Sequence, residues 1–388
     1  MKITRCFFAL LFLASALAGL ALITVAQKPA SKTHYLALVG TYTNRTASKG
    51  IYAFDFDSAS GKLTFQGIAA ETSDPSWVVI HPNGKFVYAA NESGKQSTIT
   101  AFSLDAQSAK LTQLNQLPAL GEDPCHLSFD KTGKFLFVAN YTSGNVVVFP
   151  ILRDGKLGAA TANIKDTGSL GPNKARQEAA HAHWVEPSAN KPKVYVADLG
   201  LDRVVIYTFD ADRGMLFLAP MPTEPFWAAL SPGTGPRHVA FSRDENFMYV
   251  LGELTSTVAV FAKDHQQTWG STQQISALPA GFSGRNDAAE IAIHPSGKWL
   301  FASNRGHDSI AVFSVDPLTG VLKSVGDFPT GGKEPRHFAI DPTGHFLLAE
   351  NQNSDSIVVF RIDPGSGALS QVSQTNVPSP VCLAFLPL

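Results

Sequence analysis

Six times along the chain an apolar strand, a short polar turn and a second apolar strand follow one another at nearly fixed spacing. This repetition constrains the fold more than any other feature of the sequence. Trp77-Val78-Val79-Ile80 leads through His81-Pro82-Asn83-Gly84 into Phe86 to Asn91, and His126 to Phe129 leads through Asp130-Lys131-Thr132-Gly133 into Phe135 to Asn140. The pattern returns at His181 to Asp198, Arg237 to Gly252, Ala289 to Asn304 and Arg336 to Asn351. Start and end lie 15 residues apart in five units and 17 apart in the His181 unit, where Ser188-Ala189-Asn190-Lys191-Pro192 reads as a lengthened turn. With second strands ending at 91, 140, 198, 252, 304 and 351, the units are 49, 58, 54, 52 and 47 residues apart. Such a period holds four short strands, which is one propeller blade. The outer strands read as Asn145 to Phe149 then Lys156-Leu157, Ser309 to Phe313 then Val321-Leu322, and Ser356 to Phe360 then Ala368-Leu369.

The chain ends supply a seventh unit. Val381 to Phe385 is a first strand with no second strand after it, and Tyr35 to Gly40 is a second strand with no first. Pairing them leaves no broken blade exposed as an edge. The expected fold is therefore all-β: a seven-bladed β-propeller of four-stranded antiparallel blades over 35–388, closed by a blade shared between the N- and C-terminal strands. Ahead of it, Lys2 and Arg5 precede an apolar run from Cys6 to Ala26 ending Thr24-Val25-Ala26, which reads as a signal peptide over 1–26 followed by a polar linker over 27–34. Export to the periplasm or medium is expected, with an uncleaved anchor as the alternative, since 21 apolar residues suffice to span a bilayer. Cys125 and Cys382, the two cysteines beyond the leader, each begin an apolar strand and read as buried thiols. Charged residues are 16% of the chain and the net charge is −1, which leaves no basic field for nucleic acid. No membrane association beyond the leader and a monomeric state are expected.

In a blade the first strand runs beside the channel and the second returns antiparallel to it, so first-strand starts and second-strand ends meet at one mouth. The starts are Ser76, Cys125, His181, Arg237, Ala289, Arg336 and Val381; the residues just past the second strands are Thr41, Glu92, Tyr141, Leu199, Glu253, Arg305 and Gln352. Charged groups converging on a concave site must be paired or used; the plain alternative is an ion-pair network lining a wet channel. His181 and His183 share one strand face, a spacing that suits a metal, but no third ligand stands at a recognisable interval, so neither metal nor cofactor is expected. His126, His238 and His337 fall one residue further on and are expected to face away from the arginines, bonding between blades. The polar insertion from Lys165 to Ala180 either folds over the mouth, bringing Lys174 and Arg176 to an anionic substrate, or stands as a solvated loop. Asn91-Glu92-Ser93 and Asn140-Tyr141-Thr142 match glycosylation sequons at the repeating strand-end position.

Gly40-Thr41-Tyr42-Thr43, His181-Ala182-His183, Ala197-Asp198-Leu199-Gly200, Gly235-Pro236-Arg237-His238, Ser303-Asn304-Arg305-Gly306-His307 and Glu334-Pro335-Arg336-His337 together resemble the signatures of the seven-bladed lactonase family. That family includes propeller-type 6-phosphogluconolactonases and carboxymuconate lactonizing enzymes. The resemblance runs from Tyr35 to Leu388 and implies a metal-independent lactonase acting on a small anionic lactone or sugar acid. Carried over by motif, it makes His181, His183, Arg237, Glu253 and Arg305 the catalytic set. Arg336, Glu92, Lys174, Arg176 and Gln352 are the expected substrate-binding residues. Ala180 departs from the family pattern, where proline precedes the His-x-His, and the leader departs from a cytosolic substrate. A lactonizing cycloisomerase and a non-catalytic ligand-binding propeller are the alternatives.

Overall fold

The computed structural model describes residues 33–218 and 227–388. The leader and nearly all of the linker expected from the sequence lie outside the described residues. Among the described residues no helix is long and apolar enough to cross a membrane, and the strands form seven antiparallel sheets. In the first sheet His34–Thr41 pairs with Gly50–Asp57 on one side and with the C-terminal strand Pro380–Pro387 on the other, so both ends of the chain close the ring as expected.

Two expectations about the blades are corrected. The fourth strand of the third blade is Ala162–Lys165, and Leu157 makes only an isolated bridge to Ile151. The fourth blade gains a fifth strand, because Met215–Leu218 and Trp227–Ala229 both pair with Arg203–Asp210.

The blades pack face to face through the alternate side chains of their inner strands. Phe54, Phe56, Phe346 and Val359 join the first and seventh blades, and Phe137, Val148, Val196 and Tyr207 join the third and fourth. Each side chain points to the opposite face from its neighbour, so strands with blades on both sides are apolar throughout; Phe135–Asn140 is buried at every position.

Each inner hairpin has one interruption that decides what the mouth displays. The first strand carries a β-bulge at its second residue: the pairing shifts between Pro75 and Trp77, Pro124 and His126, Ala182 and Trp184, Pro236 and His238, and Pro335 and His337. A bulge sets two residues against one and re-aims a side chain. The bulged residues are thus Ser76, Cys125, His183, Arg237 and Arg336. This corrects the repeat in the fourth blade: His183, and not His181, occupies the shared position. Its hairpin turn is not lengthened, because Ser188 donates to Lys193 carbonyl across the same five-residue interval as Asp130 to Phe135 and Ser242 to Phe247. His183 to Asp198 restores the 15-residue spacing of the other units.

The second strands end in buried polar residues that tie each hairpin to the chain arriving from the preceding blade. Asn140 Nδ2 donates to Ala119 carbonyl at 3.3 Å, Asn304 to Ala277 at 2.6 Å and Asn351 to Thr330 at 3.3 Å. Asn91 and Asn140 are buried, so neither sequon is open to glycosylation in the folded chain. In the fifth blade the position is Gly252, where a Cβ would stand 2.4 Å from Thr234 Cγ2 and 2.9 Å from its carbonyl.

Candidate active site

The mouth built by these bulges and strand ends is a cavity of about 270 Å³ lined by Glu92, Cys125, Tyr141, Arg176, His183, Glu253, Arg305 and Arg336. Glu253 is its centre. The residue is placed by its own backbone, whose N–H donates to Gly235 carbonyl at 2.8 Å and whose carbonyl accepts from Ala288 at 3.2 Å. Three guanidinium groups surround the carboxylate: Arg176 Nη2 at 2.5 Å, Arg305 Nη2 at 3.3 Å and Arg237 Nε at 3.2 Å. The Arg237 approach is out of line for a hydrogen bond. Burial alone would raise the Glu253 pKa, but Arg305, Arg237 and Arg176 outweigh it and hold the carboxyl at about 2.

The arginines are not equivalent. Arg237 is 2% exposed, stands behind Glu253 rather than on the cavity wall, and donates from Nη1 to Ala289 carbonyl at 2.5 Å. Burial, then Arg305 and Arg336, lower its pKa to about 9, which leaves it charged at neutral pH. Arg305 is anchored by Nε to Asp287 carbonyl at 3.1 Å and lines the cavity. Arg176 comes from the insertion, where its Nη1 also lies 3.5 Å from Asp287; the insertion therefore does reach the mouth. Arg336 is held apart from Glu253, 3.8 Å from Glu92 Oε2 and over the Tyr42 ring at 5.3 Å. Tyr42 in turn donates to Glu92 at 2.8 Å.

The two histidines of the His-x-His separate in role. His183 lines the cavity, and its Nδ1 is buried without a hydrogen-bond partner. Burial, followed by Arg237, His238, Arg336 and Arg305, pushes its pKa well below the usual imidazole value, so it is neutral at neutral pH. His181 is absent from the cavity wall. It stacks on Tyr141 at 4.6 Å, with Nδ1 3.0 Å from Tyr141 carbonyl and Nε2 3.1 Å from Glu178, so both of its nitrogens are engaged. Among the described residues no group of three His, Cys, Asp or Glu side chains is placed to hold a metal ion.

Of the other expected residues, Lys174 is exposed and lines no part of the cavity, and Gln352 lies in an adjoining groove with Tyr42. His126, His238 and His337 do not face away. They pack around Trp77 at 4.4, 5.5 and 5.2 Å and close the channel beneath the mouth. The bulge explains this, because one extra residue upstream turns both consecutive side chains toward the axis. His238 reaches Glu290 at 3.0 Å, and His337 reaches Glu350 at 2.6 Å.

Tyr141, on the cavity wall, and Tyr42, in the adjoining groove, are residues that a selection by charge passes over. Tyr141 already stood in the strand-end column, and its position was the signal. Tyr42, not Thr41, is the residue just past the second strand: Thr41 pairs with Pro380 as Asn91 pairs with Pro75, its hydroxyl on Gly50 carbonyl at 2.5 Å, and Tyr42 N–H donates to Ser379 carbonyl as Glu92 N–H does to Asp74 carbonyl. Cys125 lines the cavity as a free, buried thiol donating toward His183 carbonyl at 3.4 Å; burial pushes its pKa up, so it remains protonated. Cys382 is likewise free and buried.

The family described as "Lactonase, 7-bladed beta-propeller" matches residues 36–385. A 6-phosphogluconolactonase of Bacillus subtilis is 36% identical over 309 residues, covering 79% of this chain and 85% of its own. One of Formosa agariphila is 35% identical over 309 residues, covering 77% and 84%. Among solved structures, the periplasmic gluconolactonase of Pseudomonas aeruginosa superposes with a TM-score of 0.84 at 34% identity, over 91% of this chain and 99% of that one. The match spans every blade and every element of the mouth described above, and the chain belongs to the seven-bladed β-propeller lactonase family.

Proposed function

We propose that the chain hydrolyses the internal ester of a sugar-acid lactone without a metal, in an exported location. The observation that carries the reading is the division of the mouth into a neutral, cavity-facing His183 and a cluster of arginines of which only Arg336 is not committed to Glu253. His183 is the group suited to take a proton from water, because a carboxylate held at about 2 and bound by three guanidinium groups is a weak base. Water oxygen attacks the acyl carbon as its proton passes to His183. Arg305, with the buried charge of Arg237 behind it, stabilises the oxyanion that develops on the carbonyl oxygen. The acyl C–O bond of the ring then breaks, His183 returns its proton to the leaving ring oxygen, and the product is an open hydroxy acid. Glu253 is a positioning residue that aligns Arg176, Arg237 and Arg305. Arg336, beside Tyr42 and Glu92, binds the polar or anionic far end of the substrate.

The metal-free reading is supported by His181, whose two nitrogens are occupied, so the His-x-His does not act as a chelating pair. Export rests on the leader sequence, and the P. aeruginosa neighbour is itself named periplasmic. The purified chain should open glucono-1,5-lactone or its 6-phosphate in the presence of a chelator. His183→Ala and Arg305→Ala should each lower kcat by about 10²-fold or more. Glu253→Gln should lower it while keeping the fold, which separates alignment from loss of structure. Unchanged turnover in the His183 and Arg305 variants sinks the assignment. Turnover of a muconate in place of any sugar lactone would make the chain a cycloisomerase, and silence toward both classes a binding protein.

A further inference from the structure

Beside the cavity, past Glu92, lies a second depression of about 320 Å³ that the hydrolytic chemistry leaves unused. Its walls include Tyr42, Asn44, Thr46, Gln352, Asn353 and Ser379, and Glu92 lines both spaces, so the two adjoin. Tyr42 and Glu92, hydrogen-bonded at 2.8 Å, form the sill between them, with the Arg336 guanidinium over the Tyr42 ring.

The groove is held in shape from below. Asp74 Oδ1 accepts from the N–H groups of Thr43 at 2.7 Å and Asn44 at 2.9 Å, Tyr42 N–H donates to Ser379 carbonyl at 3.1 Å, and Ser379 N–H donates to Asp355 at 2.8 Å. Four non-glycine residues of these loops hold positive φ: Arg45 at 61°, Asp74 at 41°, Asp355 at 51° and Ser379 at 43°. Asp74 and Ser379 repeat the positive φ of Asp123 and Glu334, and Asp355 that of Asp202, Ser256 and Asp308, so the blade frame itself fixes this side of the groove. These restraints run through backbone atoms and the two aspartates, and the side-chain amides of Asn44, Gln352 and Asn353 take no part in them. Amides, hydroxyls and one aromatic ring, with no apolar patch, are the chemistry that recognises sugar hydroxyls.

We propose that this groove is a glycosyl subsite, and that the chain hydrolyses the lactone of a disaccharide aldonic acid, with the lactone ring in the cavity and a neutral hexosyl ring in the groove. The inference rests on the lactonase reading above. One water is consumed, the acyl C–O bond breaks and the glycosidic bond stays intact. The reaction class that must supply such a substrate is a two-electron oxidation at the anomeric carbon of a reducing disaccharide, which yields the 1,5-lactone.

The test compares kcat/KM for glucono-1,5-lactone with that for cellobiono- and melibiono-1,5-lactone, whose second ring is joined through O4 and O6. At least one disaccharide lactone should exceed gluconolactone by about tenfold, the worth of one or two groove hydrogen bonds. The double variant Asn44→Ala/Asn353→Ala should abolish that advantage and leave gluconolactone turnover unchanged. Gluconolactone turnover with no disaccharide preference, or a preference that survives the double variant, overturns the inference alone. Silence toward all three lactones fails the lactonase reading on which it rests.

Discussion

In the proposed hydrolysis, His183 and Glu253 divide between them what the reaction asks of ionisable groups. Both are buried beside the same arginines, whose field lowers both pKa values: burial and then that field keep the imidazole neutral, while for the carboxyl the field overcomes burial and keeps it ionised. The imidazole result sets a pH dependence. A base whose pKa is depressed stays active as pH falls below the ordinary imidazole value, so the acid limb of kcat/KM should lie below pH 6.5. Arg336 is one of the charges that depress it, so Arg336→Gln should move the limb to higher pH, whatever it does to the rate. The measurement is kcat/KM from about pH 4 to about pH 8 in both proteins; a limb that stays in place removes His183 as the titrating base.

At the scale of the element, the hairpin is a fixed frame into which each blade puts a different residue. Its far turn is maintained independently of the mouth. Asp130 accepts from Phe135 N–H at 2.8 Å and Thr132 N–H at 2.9 Å, and Asp341 repeats the arrangement with Phe346 at 2.7 Å and Thr343 at 3.0 Å. Asp130→Ala leaves the buried Phe135 N–H unmet and should cost about 1–3 kcal/mol. Thermal unfolding should show it as a fall of about 2–6 °C with kcat unchanged, because the turn lies at the opposite end of its strands from the cavity. A fall in kcat without a fall in Tm would contradict that separation. The hairpin's recurrence was legible in the sequence because alternation and turn chemistry are local. Its bulge was not, since a bulge is a relation between two strands, and the motif His181-Ala182-His183 offers two histidines of which only the pairing selects one.

For the whole molecule, closure by the terminal strand replaces a capping element. Val381, Cys382 and Leu383 are buried, with Cys382 in one core with Val78 and Val87 of the second blade and Leu383 in another with Phe346 and Leu348 of the seventh. Burying three such side chains contributes about 5–9 kcal/mol, comparable with the 5–15 kcal/mol that separates folded from unfolded states in typical domains. Ending the chain at residue 377 should therefore expose the Tyr35 to Val39 edge and yield aggregated or unfolded protein by size exclusion and thermal unfolding. A truncated monomer of unchanged Tm would show that the ring does not depend on its closing strand.

The blade count, the shared closing blade and most of the charged residues of the mouth followed from the sequence alone, because strand period and strand ends are properties of short segments. Tertiary structure decided which side chains turn toward the axis. One bulged residue per hairpin exchanges the two faces of a strand, bringing His183 to the cavity in place of His181 and sending His126, His238 and His337 into the channel. It also decided that Arg176, from an insertion with no periodic signal, reaches Glu253, while Lys174, two residues away, stays in solvent. Contacts between segments so distant in sequence carry no local pattern, since they exist only once the ring has closed.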